Sequence, residues 1–93
     1  MPKKRKKQTP RGLQHASRVK GNLFRTIKEN SESAARLRLV GRIEGAMSHE
    51  RTVNNAMRVA ERMGWGDAAC RAEETGVARA MANPRKGMNQ FGF

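Results

Sequence analysis

The separation of charge along the chain limits what it can fold into more than any other feature of the sequence. Residues 1–28 contain ten of the 20 Lys and Arg residues and no acid, whereas residues 29–84 contain eight basic residues and all 8 acids. Like charges at the density of the first segment repel one another and resist packing into a core. The pattern therefore predicts a charge-balanced packing module joined to a basic segment that binds a polyanion.

The size and composition of the chain add a second limit. A chain of 93 residues with 37% apolar and 4% aromatic residues forms at most one small domain with a thin core. A formal net charge of +12 favours a polyanionic partner, with nucleic acid ahead of an anionic membrane surface. The single cysteine, Cys70, excludes an intrachain disulfide and a zinc site built on a pair of cysteines.

The basic run KKRKK lies between Pro2 and Pro10, which interrupt any regular element, so residues 1–11 are predicted to form an extended arm. The run is open to three interpretations: a nuclear import signal, a solubilising tail, or an arm that binds phosphates. The third is favoured because basic residues continue into the next segment, and phosphate contacts require charge and reach rather than a particular base. The predicted nucleic-acid contacts are Lys3, Lys4, Arg5, Lys6, Lys7, Arg11, Arg18, Lys20, Arg25 and Lys28.

Apolar periodicity predicts an all-α fold, a small bundle of three to four short helices within residues 12–83, between the basic arm and an irregular C-terminal tail. The helices are expected near residues 13–29, 31–47, 49–63 and 67–82. The first segment, GLQHASRVKGNLFRTIKEN, places apolar residues on one side of a helical wheel and arginines on the other. These arginines are Arg11, Arg18 and Arg25.

Capping residues predict where the later helices begin. Asn30 or Ser31 would cap the second helix, Ser48 the third and Asp67 the fourth. The predicted ends are Gly64 for the third helix and Asn83, before Pro84, for the fourth.

Helical spacing also predicts the core. The second helix would bury the stripe Ala35, Leu39, Ile43 and Met47. The third would bury Val53, Ala56, Met57, Ala60 and Met63. Trp65, between two helices, is predicted to fill the core, and Cys70 is predicted to be a small core residue.

The stretch SHERTVNNAMRVAERMGWG resembles the recognition helix of helix-turn-helix and winged-helix DNA-binding proteins. The resemblance implies that residues 51–58 face the major groove, where Asn reads adenine and Arg reads guanine through paired hydrogen bonds. The residues implied are Arg51, Thr52, Asn54, Asn55 and Arg58. An ordinary amphipathic core helix with a solvated polar face explains the same pattern and is the favoured interpretation.

Residues 84–93, PRKGMNQFGF, have no helical period and contain two phenylalanines in a chain with few aromatic residues. We expect Phe91 and Phe93 to anchor this tail on a partner protein or against the chain's own helices. The alternative is a frayed terminus.

The sequence does not bring together the groups that catalysis needs. His15 and His49 are far apart, Cys70 has no adjacent base, and the pair His49 and Glu50 lacks the spacing of further metal ligands. We therefore predict that the protein is not an enzyme and has no metal, cofactor or small-molecule substrate.

The location predicted from the sequence is inside a cell or inside a viral particle. No apolar run approaches the roughly 20 residues of a spanning helix, and no apolar segment follows the basic start as in a secretion signal. An interfacial membrane helix over residues 12–28 is the least favoured alternative, because its apolar face lacks tryptophan.

These patterns together predict a non-catalytic basic protein that binds nucleic acid through phosphates. It would be a structural component of a larger nucleoprotein particle, such as a ribosome or a virion, in contact with other proteins of that assembly. DNA and RNA both fit the prediction. The alternative is a helix-turn-helix regulator that reads a DNA sequence with residues 51–58.

Overall fold

The computed structural model describes the backbone of residues 11–84 and the side chains of residues 18–84. Within these residues the chain forms three helices and no strand: α1 (Arg11–Leu39), α2 (Ile43–Arg62) and α3 (Gly66–Ala82). The predicted all-α fold, a small helical bundle, is therefore confirmed. The predicted arm, residues 1–11, is wrong at its last residue, because Arg11 is the first residue of α1. The rest of the arm, residues 1–10, and most of the tail, residues 85–93, lie outside the described residues.

A single helix, α1, covers the predicted helix over residues 13–29 and the first part of the one predicted over residues 31–47, whose last residues belong to α2. Asn30 does not cap a new helix, because its side-chain Nδ2 donates to the carbonyl of Thr26, 2.8 Å away, within the same helix. Ser31 does not cap one either, and is 5% exposed beneath α3. The predicted boundary at residues 30–31 is wrong because both residues lie inside the continuous helix α1.

The break between α1 and α2 occurs at Gly41, which has φ +81°, a left-handed conformation that favours glycine. Gly41 N–H donates to the carbonyl of Arg38 at 3.1 Å, and Arg42 N–H donates to that of Leu37 at 2.8 Å. This pair of bonds is the Schellman motif, which satisfies the last carbonyls of a helix. Consequently α2 begins at Ile43 rather than near residue 49, and Ser48 lies inside it.

The turn between α2 and α3 repeats this geometry at Gly64, which has φ +80°. Gly64 N–H donates to the carbonyl of Glu61, and Trp65 N–H donates to that of Ala60 at 2.8 Å. The third helix begins at Gly66, so Asp67 lies in its first turn and is not its cap. It ends at Ala82, before Asn83 and Pro84.

The long helix α1 packs against both α2 and α3, whereas α2 and α3 have few contacts with each other. His49 Nδ1 of α2 donates to Asn30 Oδ1 of α1 at 2.7 Å, since the amide nitrogen of Asn30 already donates to Thr26. The buried core consists of Ile27, Val53, Ala56, Ala60 and Ala69, with Leu23, Phe24, Met57, Trp65 and Ala72 packed against it.

The core agrees with the predicted face of α2 at Val53, Ala56 and Ala60, and Trp65 packs on it as predicted. Met63 was also predicted to be buried, but it follows the last residue of α2 and is 51% exposed. Cys70 is exposed, contrary to its prediction, because α3 turns Ala69 inward.

The predicted stripe Ala35, Leu39, Ile43 and Met47 is not a core face. The turn at Gly41 interrupts the helical period, so the stripe divides between two helices. Leu39, Ile43 and Met47 are 50%, 44% and 48% exposed. The buried residues of this region are Ala34, Leu37 and Ala46.

Candidate nucleic-acid interface

A cleft of about 460 Å³ lies between α1 and α3 and carries an excess of positive charge. We call it the basic cleft. It is lined by Phe24, Arg25 and Lys28 of α1 and by Ala68, Arg71 and Thr75 of α3, together with two small residues. None of its lining residues is acidic. Three cations on two helices therefore face one depression in the surface.

The sequence of each helix explains how the cations reach the cleft. Arg25 and Lys28 are three residues apart on α1, which places them on one face. On α3, Ala68, Arg71 and Thr75 are spaced three and four residues apart, which also places them on one face of their helix. The Thr75 hydroxyl donates to the carbonyl of Arg71 at 2.9 Å, so it is bonded within its own helix.

A close crossing of the two helices determines the width of the basic cleft. Gly76 of α3 lies so near α1 that an added Cβ would be 2.2 Å from the carbonyl oxygen of Lys28. It would also be 3.0 Å from Cβ of Ser31. Only glycine fits at this distance. Arg71 lies five residues before Gly76 on α3, so the close crossing brings Arg71 beside the basic face of α1.

Lys20 adds a further charge near the cleft. Its Nζ lies 5.8 Å from the ring centroid of Phe24 and 5.3 Å from that of Trp65. The two rings form an edge-to-face pair, with centroids 6.2 Å apart and planes at 74°. Cation–π attraction of about 0.5–1 kcal/mol at an exposed site favours this position of the ammonium group, next to Phe24 in the cleft wall.

The cations of the basic cleft form no ion pair within the described part of the chain. Among the residues that the structure describes, Arg25, Lys28 and Arg71 have no acidic partner. Two other arginines do pair with acids: Arg36 with Glu32, one turn earlier on α1, and Arg38 with Glu50 across α1 and α2.

The Arg38 and Glu50 pair is bidentate. Arg38 Nη2 donates to Glu50 Oε1 at 2.7 Å, and Arg38 Nε donates to Oε2. The hydrogen bonds from Arg38 are the main cause that lowers the pKa of Glu50; partial desolvation opposes this shift and the attraction between the charges adds to it.

The predicted contact residues are distributed between the cleft, the rest of α1 and the chain outside the described residues. Arg25 and Lys28 line the cleft and Lys20 lies beside it. Arg18 is exposed on α1 but does not line the cleft, and Arg11 is in the first turn of α1. Lys3, Lys4, Arg5, Lys6, Lys7, Phe91 and Phe93 lie outside the described residues.

Arg71 is the cleft residue that the sequence did not reveal. It belongs to the charge-balanced part of the chain, and nothing in its local pattern distinguishes it from other exposed arginines. Its place beside Arg25 depends on the packing of α3 against α1, two helices that are not consecutive in the sequence.

The five residues implied by the helix-turn-helix resemblance are all exposed on α2: Arg51, Thr52, Asn54, Asn55 and Arg58. Because α2 begins at Ile43, these residues lie in its third to fifth turns. Recognition helices read bases mainly with their N-terminal residues, so this register differs from the one that the resemblance implies.

The described part of the chain has neither a metal-ligand cluster nor a membrane-spanning helix. No three His, Cys, Asp or Glu side chains there form a group able to hold a metal ion. None of the three described helices has the combined length and apolar composition that crossing a membrane requires.

No family model, curated protein or solved structure matches this chain.

Proposed function

We propose that this protein binds nucleic acid through its phosphates, without catalysis, and is a structural component of a larger nucleoprotein particle. The observation that carries the proposal is the basic cleft, in which Arg25, Lys28 and Arg71 face the same space with no acid among the lining residues. The basic arm, residues 1–10, immediately precedes the helix that supplies two of these cations.

The chemistry of the cleft suits a phosphate backbone. Arginine donates a planar pair of hydrogen bonds that matches phosphate oxygens, and lysine contributes a mobile point charge. Each neutralised phosphate releases condensed counterions into solution, which is the main source of affinity in contacts that do not read sequence. A cation already paired with a carboxylate would lose that partner on binding, whereas Arg25, Lys28 and Arg71 would not.

The length of α1 supports a contact that extends beyond the cleft. Its 29 residues span about 44 Å at 1.5 Å per residue. Arg18, Lys20, Arg25 and Lys28 occupy a continuous part of it, and the five basic residues of the arm precede it. We infer that the arm and α1 follow neighbouring phosphates while the cleft holds one segment of the backbone.

Membership of a larger particle is inferred from the apolar surface that remains uncovered. Ile43 and Met47, just after the α1–α2 turn, are 44% and 48% exposed. Exposed apolar residues grouped in this way are typical of surfaces that contact other proteins. In this proposal the α1–α2 turn faces protein, and the cleft and arm face nucleic acid.

A salt titration tests the proposal. With about six phosphates neutralised, the logarithm of the association constant for random-sequence duplex should fall with the logarithm of salt concentration at a slope near −5. A slope near −1 would reject it, and comparison with single-stranded and double-stranded RNA would identify the preferred nucleic acid.

The helix-turn-helix function is a second candidate, favoured by the exposure of all five polar residues implied on α2. It requires a preference of about a thousandfold or more for one DNA sequence over random DNA. That preference should survive deletion of residues 1–10, whereas phosphate-based affinity should fall strongly after the same deletion.

A further inference from the structure

A second cavity, of about 380 Å³, lies between α2 and α3 with α1 beneath it. We call it the apolar groove. Its apolar wall is formed by Ala35 and Leu39 of α1, Val53 of α2, and Val77 and Met81 of α3. It exists because α2 and α3 each pack on α1 and have few contacts with each other.

The apolar groove exposes large side chains that a folded protein normally covers. Leu39 is 50% exposed, Val77 37% and Met81 57%, and all three line the same cavity. Covering them would stabilise the fold by about 25 cal/mol for each Å² of apolar surface removed from water. The volume lies at the lower end of the roughly 300–1,000 Å³ typical of pockets that enclose a ligand.

A buried hydroxyl in the apolar groove lacks a partner. Ser31 is 5% exposed, its Oγ has no hydrogen-bond partner among the described residues, and it lines the cavity. Because the Oγ atom itself is covered by the protein, this hydroxyl lies beneath the groove wall, and the choice of occupant rests on the apolar and charged side chains.

The charges of the groove argue against nucleic acid as its occupant. Glu50 and Glu73 both line it, and the only cation among its lining residues, Arg38, is already bonded to Glu50. Carboxylates repel phosphates, whereas they attract a peptide that carries basic residues.

We propose that the apolar groove is filled by residues 85–93 of the same chain, with Phe91 and Phe93 against Leu39, Val77 and Met81. The segment RKGMNQFGF has the required chemistry: two aromatic rings and two basic residues. This inference is independent of the proposed binding of nucleic acid, because it concerns a different face of the three helices.

The end of α3 places this segment next to the groove. Met81 lines the groove, and the described chain continues only to Asn83 and Pro84. The carbonyl of Asn83 accepts a hydrogen bond from Arg36 Nε at 3.0 Å, which fixes where the chain leaves the helix.

The segment is long enough to reach every part of the groove. Phe91 is seven residues beyond Pro84, a distance of up to about 23 Å in extended chain. The groove wall on α3, from Glu73 to Met81, spans about 12 Å of helix. A return of the chain along α3 therefore brings both phenylalanines within reach of Leu39 and Val77.

Attachment to α3 also favours this segment over a second copy of the chain. A connection of this length within one chain gives an effective concentration on the order of millimolar. A second copy at micromolar concentration would compete poorly for the same groove.

The test is a double-mutant cycle in the full chain, read by urea denaturation. One variant is Phe91→Ala with Phe93→Ala, the second is Met81→Ser, and the third combines them. Each of the first two should raise the unfolding equilibrium constant by about tenfold or more, and their combination should do little more than either. The matched control is Met47→Ser, since Met47 is 48% exposed and does not line the groove; its effect should add to that of the phenylalanine variant.

A second readout locates the contact directly. In a protein with labelled methionine methyl groups, nuclear Overhauser effects should join aromatic ring protons of Phe91 or Phe93 to the Met81 methyl, and they should persist on dilution. Unchanged stability of the phenylalanine variant, or additive effects in the cycle, would overturn the proposal. So would contacts that disappear on dilution, which would assign the groove to a second copy, or contacts that appear only when a partner protein is added.

Discussion

Gly76 of α3 touches the backbone of α1 at Lys28, with no room for a side chain between the two helices: a Cβ at position 76 would lie 2.2 Å from the Lys28 carbonyl oxygen. Lys28 lines the basic cleft, and Arg71 lies five residues before Gly76. One glycine therefore determines both how closely α3 packs on α1 and how near Arg71 comes to Arg25 and Lys28.

Gly76→Ala should destabilise the protein by about 1–3 kcal/mol, although alanine is the better helix former by about 1 kcal/mol. The added methyl meets a backbone carbonyl, which cannot move without separating the helices. The control is Gly21→Ala on α1, where an added Cβ meets nothing within 4 Å. It should raise stability by up to about 1 kcal/mol. Urea denaturation of both variants checks the prediction, and a stabilising Gly76→Ala would contradict the close crossing.

Ile27→Ala should cost about 2–5 kcal/mol, because Ile27 is fully buried at the centre of the core. Met63→Ala should change stability by less than about 0.5 kcal/mol, since Met63 is 51% exposed. Thermal unfolding followed by circular dichroism compares the two variants. Equal losses would mean that α1 does not pack on α2 and α3 through this residue.

The Arg38 and Glu50 pair predicts a pH dependence of stability. The pKa of Glu50 is lowered in the folded protein, so its contribution is fully present above its ordinary pKa of 4.5 and is lost as pH falls through the lowered value. Glu50→Gln should therefore lower the urea midpoint near neutral pH and converge with the parent protein under acid conditions. Both side chains are partly exposed, so the effect should be small and should weaken in high salt.

Glu74→Gln serves as the control for this series, because Glu74 is exposed on α3 and makes no ion pair among the described residues. Its midpoint should follow that of the parent protein across the pH range. A Glu50→Gln variant as stable as the parent at neutral pH would show that the pair contributes nothing.

Local signals in the sequence predicted the helical class and part of the core. The turn at Gly64 that follows α2 and the apolar face at Val53, Ala56 and Ala60 are encoded in nearby residues, so glycine position and helical spacing predict them. Gly41, like Gly64, is a glycine that can end a helix in the left-handed conformation. Asn30 and Ser31 are residue types that often cap helices, and they predicted a helix boundary at a position where α1 is continuous.

The errors share a physical cause, which is that contacts between helices override local preference. Ser31 lies inside α1 where Gly76 of α3, 45 residues away in the sequence, packs on it. Arg71 joins Arg25 for the same reason. Contacts between residues far apart in the sequence leave no periodic pattern. The sequence therefore predicted only the α1 cations of the basic cleft, Arg25 and Lys28.

The most direct test of the central claim compares two variants that each remove two exposed arginines. Arg25→Gln with Arg71→Gln empties the basic cleft of its arginines, whereas Arg51→Gln with Arg58→Gln makes the same change of charge on α2. The salt dependence of binding to random-sequence duplex is measured for both variants and for the parent chain. We predict that the cleft variant loses about two units of the log–log slope while the α2 variant loses less than one. Equal losses in both variants, or a larger loss in the α2 variant, would contradict the account.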